Sequence, residues 1–170
     1  LFVSEFGFQG PADYNTLKPC IPNPERRPQS RIFEFHNKQD EGSERLFRFL
    51  SAHLPVKTDL QDFIYLTQLN QGFALKTCLE HWLLRRPETS GSIIWQLNDC
   101  WPVTSWSLID SELKPKLSYF FTQRAFAAHF LAFKETAEGV ELVFRNDGRE
   151  KFSGRAELKS LDIFDGSLTD

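Results

Sequence analysis

Residues 91–97 read GSIIWQL: Gly91, Ser92, two isoleucines, then Trp95, Gln96 and Leu97. The run is short, apolar and rich in β-branched and aromatic side chains. It follows a long helical pattern that stops at Pro87. This combination predicts a buried strand. Residues 1–7, LFVSEFG, read the same way: a short apolar run closed by Gly7. Helical patterns lie between the two runs and after the second. Buried strands that alternate with helices predict a parallel sheet or barrel, so the first part of the chain is read as α/β.

Ser43 to Leu54 predicts a short helix, with Leu46, Phe47, Phe49, Leu50 and Leu54 near a 3.6-residue stripe and Pro55 as its stop. The next helix is the clearest element. Thr58 and Gln61 form a T-x-x-Q capping box, and Leu60, Ile64, Leu75, Cys78, Leu79 and Trp82 line one face. Arg85 and Arg86 sit in its last turn, where cations suit the helix dipole. Gly72 lies inside this helix at a cost of about 1 kcal/mol relative to Ala, and close packing is the expected reason. A third helix is predicted from near Pro115, running through Leu117, Phe120, Phe121 and Phe126. Residues 8–31 hold prolines at 11, 19, 22, 24 and 28, which exclude a helix or a central strand. They predict a long ordered loop.

Beyond residue 128 the period changes to two. Val140–Phe144 alternates, Asn146-Asp147-Gly148 is a turn signal, and Phe152–Phe164 alternates again. This predicts antiparallel β structure with one solvated face. The chain is therefore divided into residues 1–128 and residues 129–170.

Composition removes several classes of function. The 170 residues carry a formal charge of −3, too mild for a nucleic-acid footprint. Cys20, Cys78 and Cys100 are odd in number and lack zinc spacing, so no disulfide framework is expected and a reducing, cytoplasmic setting is the default. His36, His53, His81 and His129 form no metal-type cluster, and no metal or other cofactor is expected. No apolar run approaches the ~20 residues of a membrane span.

In a (β/α)8 barrel, chemistry sits at the C-terminal ends of the strands. Glu5 lies near such an end, and so do Trp95 and Gln96. Trp95, Trp101 and Trp106, interleaved with Gln96, Asn98 and Asp99, offer rings for the C–H faces of a sugar and polar groups for its hydroxyls. A carboxylate there suits glycoside hydrolysis, in which a retaining enzyme sets two carboxyl groups about 5–5.5 Å apart. Each residue also has a plainer reading. Glu5 could be an ordinary surface acid, Trp95 a core residue, Trp101-Pro102 a packed loop and Asp99 an Asx-turn.

Longer stretches carry a resemblance. FVSEFGFQ (residues 2–9) resembles the nucleophile strand of glycoside hydrolase family 2, which reads SE(F/Y)G. GSIIWQLNDCWPVTSWSLIDSELKPKLSYF (residues 91–120) is similar to the β-mannosidase branch of that family, in which WQLND, WP, SW, ID and a following K-Y helix recur. LQDFIYLTQLNQGFALKTCLEHW (residues 60–82) resembles the helix that precedes this strand. Together these stretches cover most of residues 1–128.

The resemblance implies that Glu5 is the catalytic nucleophile on the seventh strand of a TIM barrel. Trp95 is then the aromatic floor of the sugar site at the end of the eighth strand, followed by a non-proline cis peptide to Gln96. Asp99 and Trp101 border that site as substrate-binding residues, and residues 129–170 begin an immunoglobulin-like β-sandwich. The implied substrate is a terminal β-mannoside, cleaved with retention. Other specificities of the family (β-galactosidase, β-glucuronidase, exo-β-glucosaminidase) stay open, as does a non-catalytic carbohydrate-binding module. The family's acid/base Glu, after an Asn on the fourth strand, has no counterpart here. A full barrel takes about 250 residues. The chain is thus expected to be the C-terminal part of a larger enzyme, inactive alone, with open sheet edges that favour self-association.

Overall fold

The computed structural model describes residues 1–169. In chain order its elements are β1 (Phe2–Phe6), β2 (Gly10–Pro11), α1 (Tyr14–Leu17), a 3₁₀ turn at Asn23–Glu25, α2 (Arg31–Phe35), α3 (Gly42–Ser51), α4 (Leu60–Leu84), β3 (Gly91–Ile94), β4 (Thr104–Ser105), α5 (Leu117–Ala125), β5 (His129–Thr136), β6 (Gly139–Asn146), β7 (Ser160–Leu161) and β8 (Leu168–Thr169). The architecture is α/β. As the alternation of strands and helices predicts, β1 and β3 pair in parallel, with Phe2 opposite Gly91 and Phe6 opposite Ile94. The register is irregular between Val3 and Phe6. β2 pairs antiparallel with β4, β5 with β6, and β7 with β8.

The long helix α4 organises the molecule. Its N-cap is Asp59, whose carboxylate accepts from the amides of Gln61 and Asp62, and not the Thr58 of the predicted box. The carboxylate caps two amides at once and adds a negative charge at the positive end of the helix dipole. One end of α4 joins a core of Leu17, Ile21, Phe33, Leu46, Leu50, Leu60 and Phe63. The other end joins a second core in which Leu79 and Leu83 meet Ala125 of α5 and Phe130 and Ala132 of β5. That core draws on both sides of residue 128.

Several expectations are corrected. β1 and β3 are not buried strands: Phe2 is 53% exposed and Ile93 54%. One face of the pair packs through Phe6 and Ile94 onto the second core, and the other face is open. An apolar run reports that a strand has two covered faces in its complete surroundings, not which of them this chain covers. The proline-rich stretch, expected as an ordered loop without helix, does contain helical turns. It holds β2, α1 and the 3₁₀ turn, then α2, whose N-cap Ser30 accepts from the Phe33 amide at 3.1 Å.

α5 buries its small residues, Ser118, Thr122 and Ala125, while Phe120 and Phe126 are exposed. The close approach of α4 and α5 at Gly72 explains this. A Cβ on Gly72 would lie 2.6 Å from Cδ2 of Phe121, so the glycine makes room for that ring while Ser118, Thr122 and Ala125 fill the rest of the contact. Residues 152–159 form no strand, despite their alternation. β5 and β6 pair over eight positions through a turn at Thr136–Gly139, whereas residues 152–159 have no strand partner and alternation alone does not provide one.

Candidate functional site

The site is built where β1 and β3 end. The ring of Phe6 meets Trp82 of α4 edge-on, with centroids 4.5 Å apart, so Phe6 faces the helix layer. Successive side chains on a strand point to opposite faces. Glu5 lies just before Phe6, in the stretch of irregular register, and it is exposed, with no hydrogen bond or ion pair among the described residues. On β3 the same alternation places Ile94 inward and Trp95 outward, 49% exposed. The Trp95 amide donates to the carbonyl of Phe6 at 2.7 Å, which holds the two strand ends side by side. The peptide from Trp95 to Gln96 is cis, as is Arg86–Pro87.

Gly7 continues the line of Glu5. A Cβ there would strike the Trp95 carbonyl and lie 3.1 Å from Cδ1 of Trp106, so a residue larger than glycine would push the two segments apart. Beside Gly7 opens a cavity of about 220 Å³, lined in part by Phe8, Gln39, Arg45, Phe49 and Trp106. Aromatic walls with amide and guanidinium groups at the rim suit a sugar ring and its hydroxyls.

Asp99 and Trp101 lie in the loop that follows. Asp99 is buried, and both of its carboxylate oxygens are engaged. Oδ1 accepts from Ser105 Oγ at 2.6 Å, Oδ2 accepts from Ser107 Oγ at 2.6 Å, and Lys116 Nζ lies 3.4 Å from Oδ2. Trp101 is half-buried. Its ring stacks on His36 at 5.2 Å, and Phe35 meets it edge-on at 6.3 Å. His36 Nδ1 donates to the Pro102 carbonyl at 2.5 Å, which ties α2 to the loop. Trp95 and Glu5 thus stand together at the strand ends. Asp99 sits below the loop surface, and Trp101 sits against α2.

Four buried polar residues hold this arrangement, and none was named as a site residue from the sequence, although Asp110 stands in the ID of the quoted motif. Gln71 donates through Nε2 to the carbonyls of Phe8 and Ser107, and its Oε1 accepts from Ser118 Oγ. Gln68 donates to the Pro11 carbonyl and accepts from the Leu117 amide. Asp110 accepts from Thr16 Oγ1 at 2.7 Å and from the amides of Asp13, Glu112 and Lys114. Lys116 Nζ donates to the Gly10 carbonyl at 2.8 Å. Burial pushes the Lys116 ammonium down to about 8, while Asp99 and Asp110 pull the other way. The glutamines did leave a signal. They occupy steps of the stripe Ile64, Gln68, Gln71, Leu75, and a polar residue on an apolar stripe needs a partner. Lys116 left none, because a lysine in a loop ordinarily points to water.

Among the described residues no cluster of His, Cys, Asp and Glu is placed to hold a metal ion. No helix among them is long and apolar enough to cross a membrane.

No family model matches the chain. It is similar to β-mannosidase B of Thermothelomyces thermophilus, at 40% identity over 136 residues, which is 74% of this chain and 16% of the relative. With β-mannosidase B of Aspergillus niger the identity is 37% over 128 residues, 72% of this chain and 15% of the relative. The chain thus spans about a sixth of the length of the curated relatives it matches. The crystal structure of a β-D-mannosidase from Dictyoglomus thermophilum superposes with a TM-score of 0.85 at 46% identity, over 89% of this chain and 19% of that one. An exo-chitosanase from Amycolatopsis orientalis superposes at 0.66 over 78% of this chain and 17% of its own, and at 21% identity it shares the fold alone. Over most of its length the chain is thus similar to one segment of the β-mannosidases, whose structural relative belongs to glycoside hydrolase family 2.

Proposed function

We propose that this chain supplies the nucleophile half of a retaining exo-β-mannosidase. Residues 1–128 are the last two βα units of a (β/α)8 barrel, and residues 129–170 begin an immunoglobulin-like sandwich. The open face of β1 and β3, with Glu5, Ile93 and Trp95, is the barrel's interior wall. The observation that carries this reading is the exposed Glu5 carboxylate, free of partners, one residue from the Phe6 carbonyl that accepts the Trp95 amide. A carboxylate held for structure would be paired or hydrogen-bonded.

In this reading Trp95 floors the sugar, and Trp101 and Asp99 border it. Asp99 acts from below by shaping the loop. Glu5 attacks the anomeric carbon, the glycosidic bond breaks, and an acid elsewhere in the longer polypeptide protonates the departing oxygen. Water then attacks the same carbon. Glu5 leaves, and the conjugate base of that acid takes the water's proton. The chain alone lacks that acid/base, a loss of typically ~10²–10⁴-fold at each step, so it is inactive.

A 2-deoxy-2-fluoro-mannosyl fluoride tests this in a full-length β-mannosidase that carries this segment. The label is expected on the peptide containing Glu5. A label on any other residue, or turnover of an aryl β-mannoside by the 170-residue chain alone, overturns the reading.

A further inference from the structure

We infer that Lys116 is a positioning residue for the candidate site: its buried ammonium ties the segment that follows Glu5 to the loop that follows Trp95. This rests on the reading of Glu5 and Trp95 given above, but the tie itself concerns geometry that no sugar is needed to observe.

Lys116 is 1% exposed, yet it sits one residue before α5, among loops. Its three donors have three directions to serve. Nζ donates to the Gly10 carbonyl in β2 at 2.8 Å, lies 3.5 Å from Ser105 Oγ in β4, and lies 3.4 Å from Asp99 Oδ2. Gly10 follows Glu5 by five residues, and Asp99 follows Trp95 by four. Between those partners β2 and β4 share only two rungs, Gly10 with Ser105 and Pro11 with Thr104. Two rungs do not hold a sheet by themselves. The pair is therefore held from the side, by the ammonium and by the carboxylate that accepts from Ser105 and Ser107. The same unit fixes the loop as far as Trp106, whose ring and Cβ crowd Gly7. A buried charge pair is a poor source of net stability, and its best-attested use is to fix one arrangement among several.

Amide hydrogen exchange and indole N–H resonances of the 170-residue chain test this, with Lys116→Met, Asp99→Asn and the double variant. The expected result is local. The amides of Ala12, Gln96 and Thr104, bonded to Val103, Trp106 and His36 across this junction, exchange at least tenfold faster in Lys116→Met. The interior amides of α4 keep their rates. The indole resonances of Trp95 and Trp106 shift, and that of Trp82 on α4 stays as an internal reference. Asp99→Asn affects the same set, and the double variant exchanges no faster than Lys116→Met, because the two side chains form one unit. Uniform acceleration across α4 and the loops would make Lys116 a general stabiliser and overturn the inference. So would unchanged indole resonances, or single effects that multiply in the double variant. None of these outcomes bears on whether Glu5 is the nucleophile.

Discussion

The backbone amide of Trp95 donates to the carbonyl of Phe6 at 2.7 Å, and Phe6 is the residue after Glu5. One parallel-sheet hydrogen bond therefore holds the strand end of the proposed nucleophile beside the residue proposed to floor the sugar. Phe6 and Ile94 pack against the core, while Glu5 and Trp95 are exposed.

Glu5→Gln should leave the fold untouched. Glu5 is exposed and unpartnered, and such substitutions stay within about ±0.5 kcal/mol. In a full-length β-mannosidase carrying the segment, the same change should lower kcat by about 10³-fold or more, because no other group takes over the nucleophile's role. Denaturant unfolding of the chain and turnover of an aryl β-mannoside check the two halves. Retained turnover would remove Glu5 from the mechanism.

Gly72→Ala should destabilise the chain, although alanine is the better helix former by about 1 kcal/mol. The new Cβ would lie 2.6 Å from Cδ2 and 3.3 Å from Cγ of Phe121, so the whole ring must move, and that ring already packs on Phe73 with centroids 5.4 Å apart. Overpacking of this kind costs about 1–3 kcal/mol and should outweigh the gain in propensity. A urea melt with a higher midpoint than wild type would show that α5 yields freely.

Gln71→Leu keeps the side-chain volume and removes the hydrogen bonds. The carbonyls of Phe8 and Ser107 and the hydroxyl of Ser118 then lose their partner in a buried seam. Each orphaned group costs about 1–3 kcal/mol, so a loss of about 3 kcal/mol or more is expected. A loss below 1 kcal/mol in chemical denaturation would mean that water replaces the amide.

The pH dependence of stability should carry the mark of Lys116. Its ammonium is pushed down to about 8, by burial first, against the pull of Asp99 and Asp110. Between about pH 8 and the ordinary lysine range the unfolded chain then binds more protons than the folded one. Stability contributed by this group rises with pH across that window. Wild type should gain on Lys116→Met from pH 8 to 10. A relative loss would mean that the attraction to Asp99 outweighs the desolvation.

Much of this was legible in the residues. Two apolar runs separated by helices announced a parallel strand pair, and Val140–Phe144 announced a hairpin strand. Pro55 and Pro87 marked helix ends correctly, because proline acts on its own backbone. Spacing placed Glu5 and Trp95 at strand ends but favoured a surface acid and a core aromatic; their proposed roles and the cis peptide after Trp95 came from resemblance. Thr58 in place of Asp59 as the cap and the missing strand at residues 152–159 were misread. The cap is decided locally, by the amides of Gln61 and Asp62 that reach the Asp59 carboxylate, whereas a strand at 152–159 would need a partner elsewhere in the chain.

The sequence by itself determined the helices α3, α4 and α5, the strands β1, β3 and β6, and that a carboxylate stands at the end of β1. These depend on local dihedral preference, capping and periodicity. Only the tertiary structure decided that Lys116, Asp99, Asp110, Gln68 and Gln71 are interior residues. Their burial depends on hydrogen bonds that close between segments tens of residues apart, between Gly10 and Lys116 or Phe8 and Gln71. A polar side chain is stable in a core only where such partners converge, and no local pattern encodes that convergence.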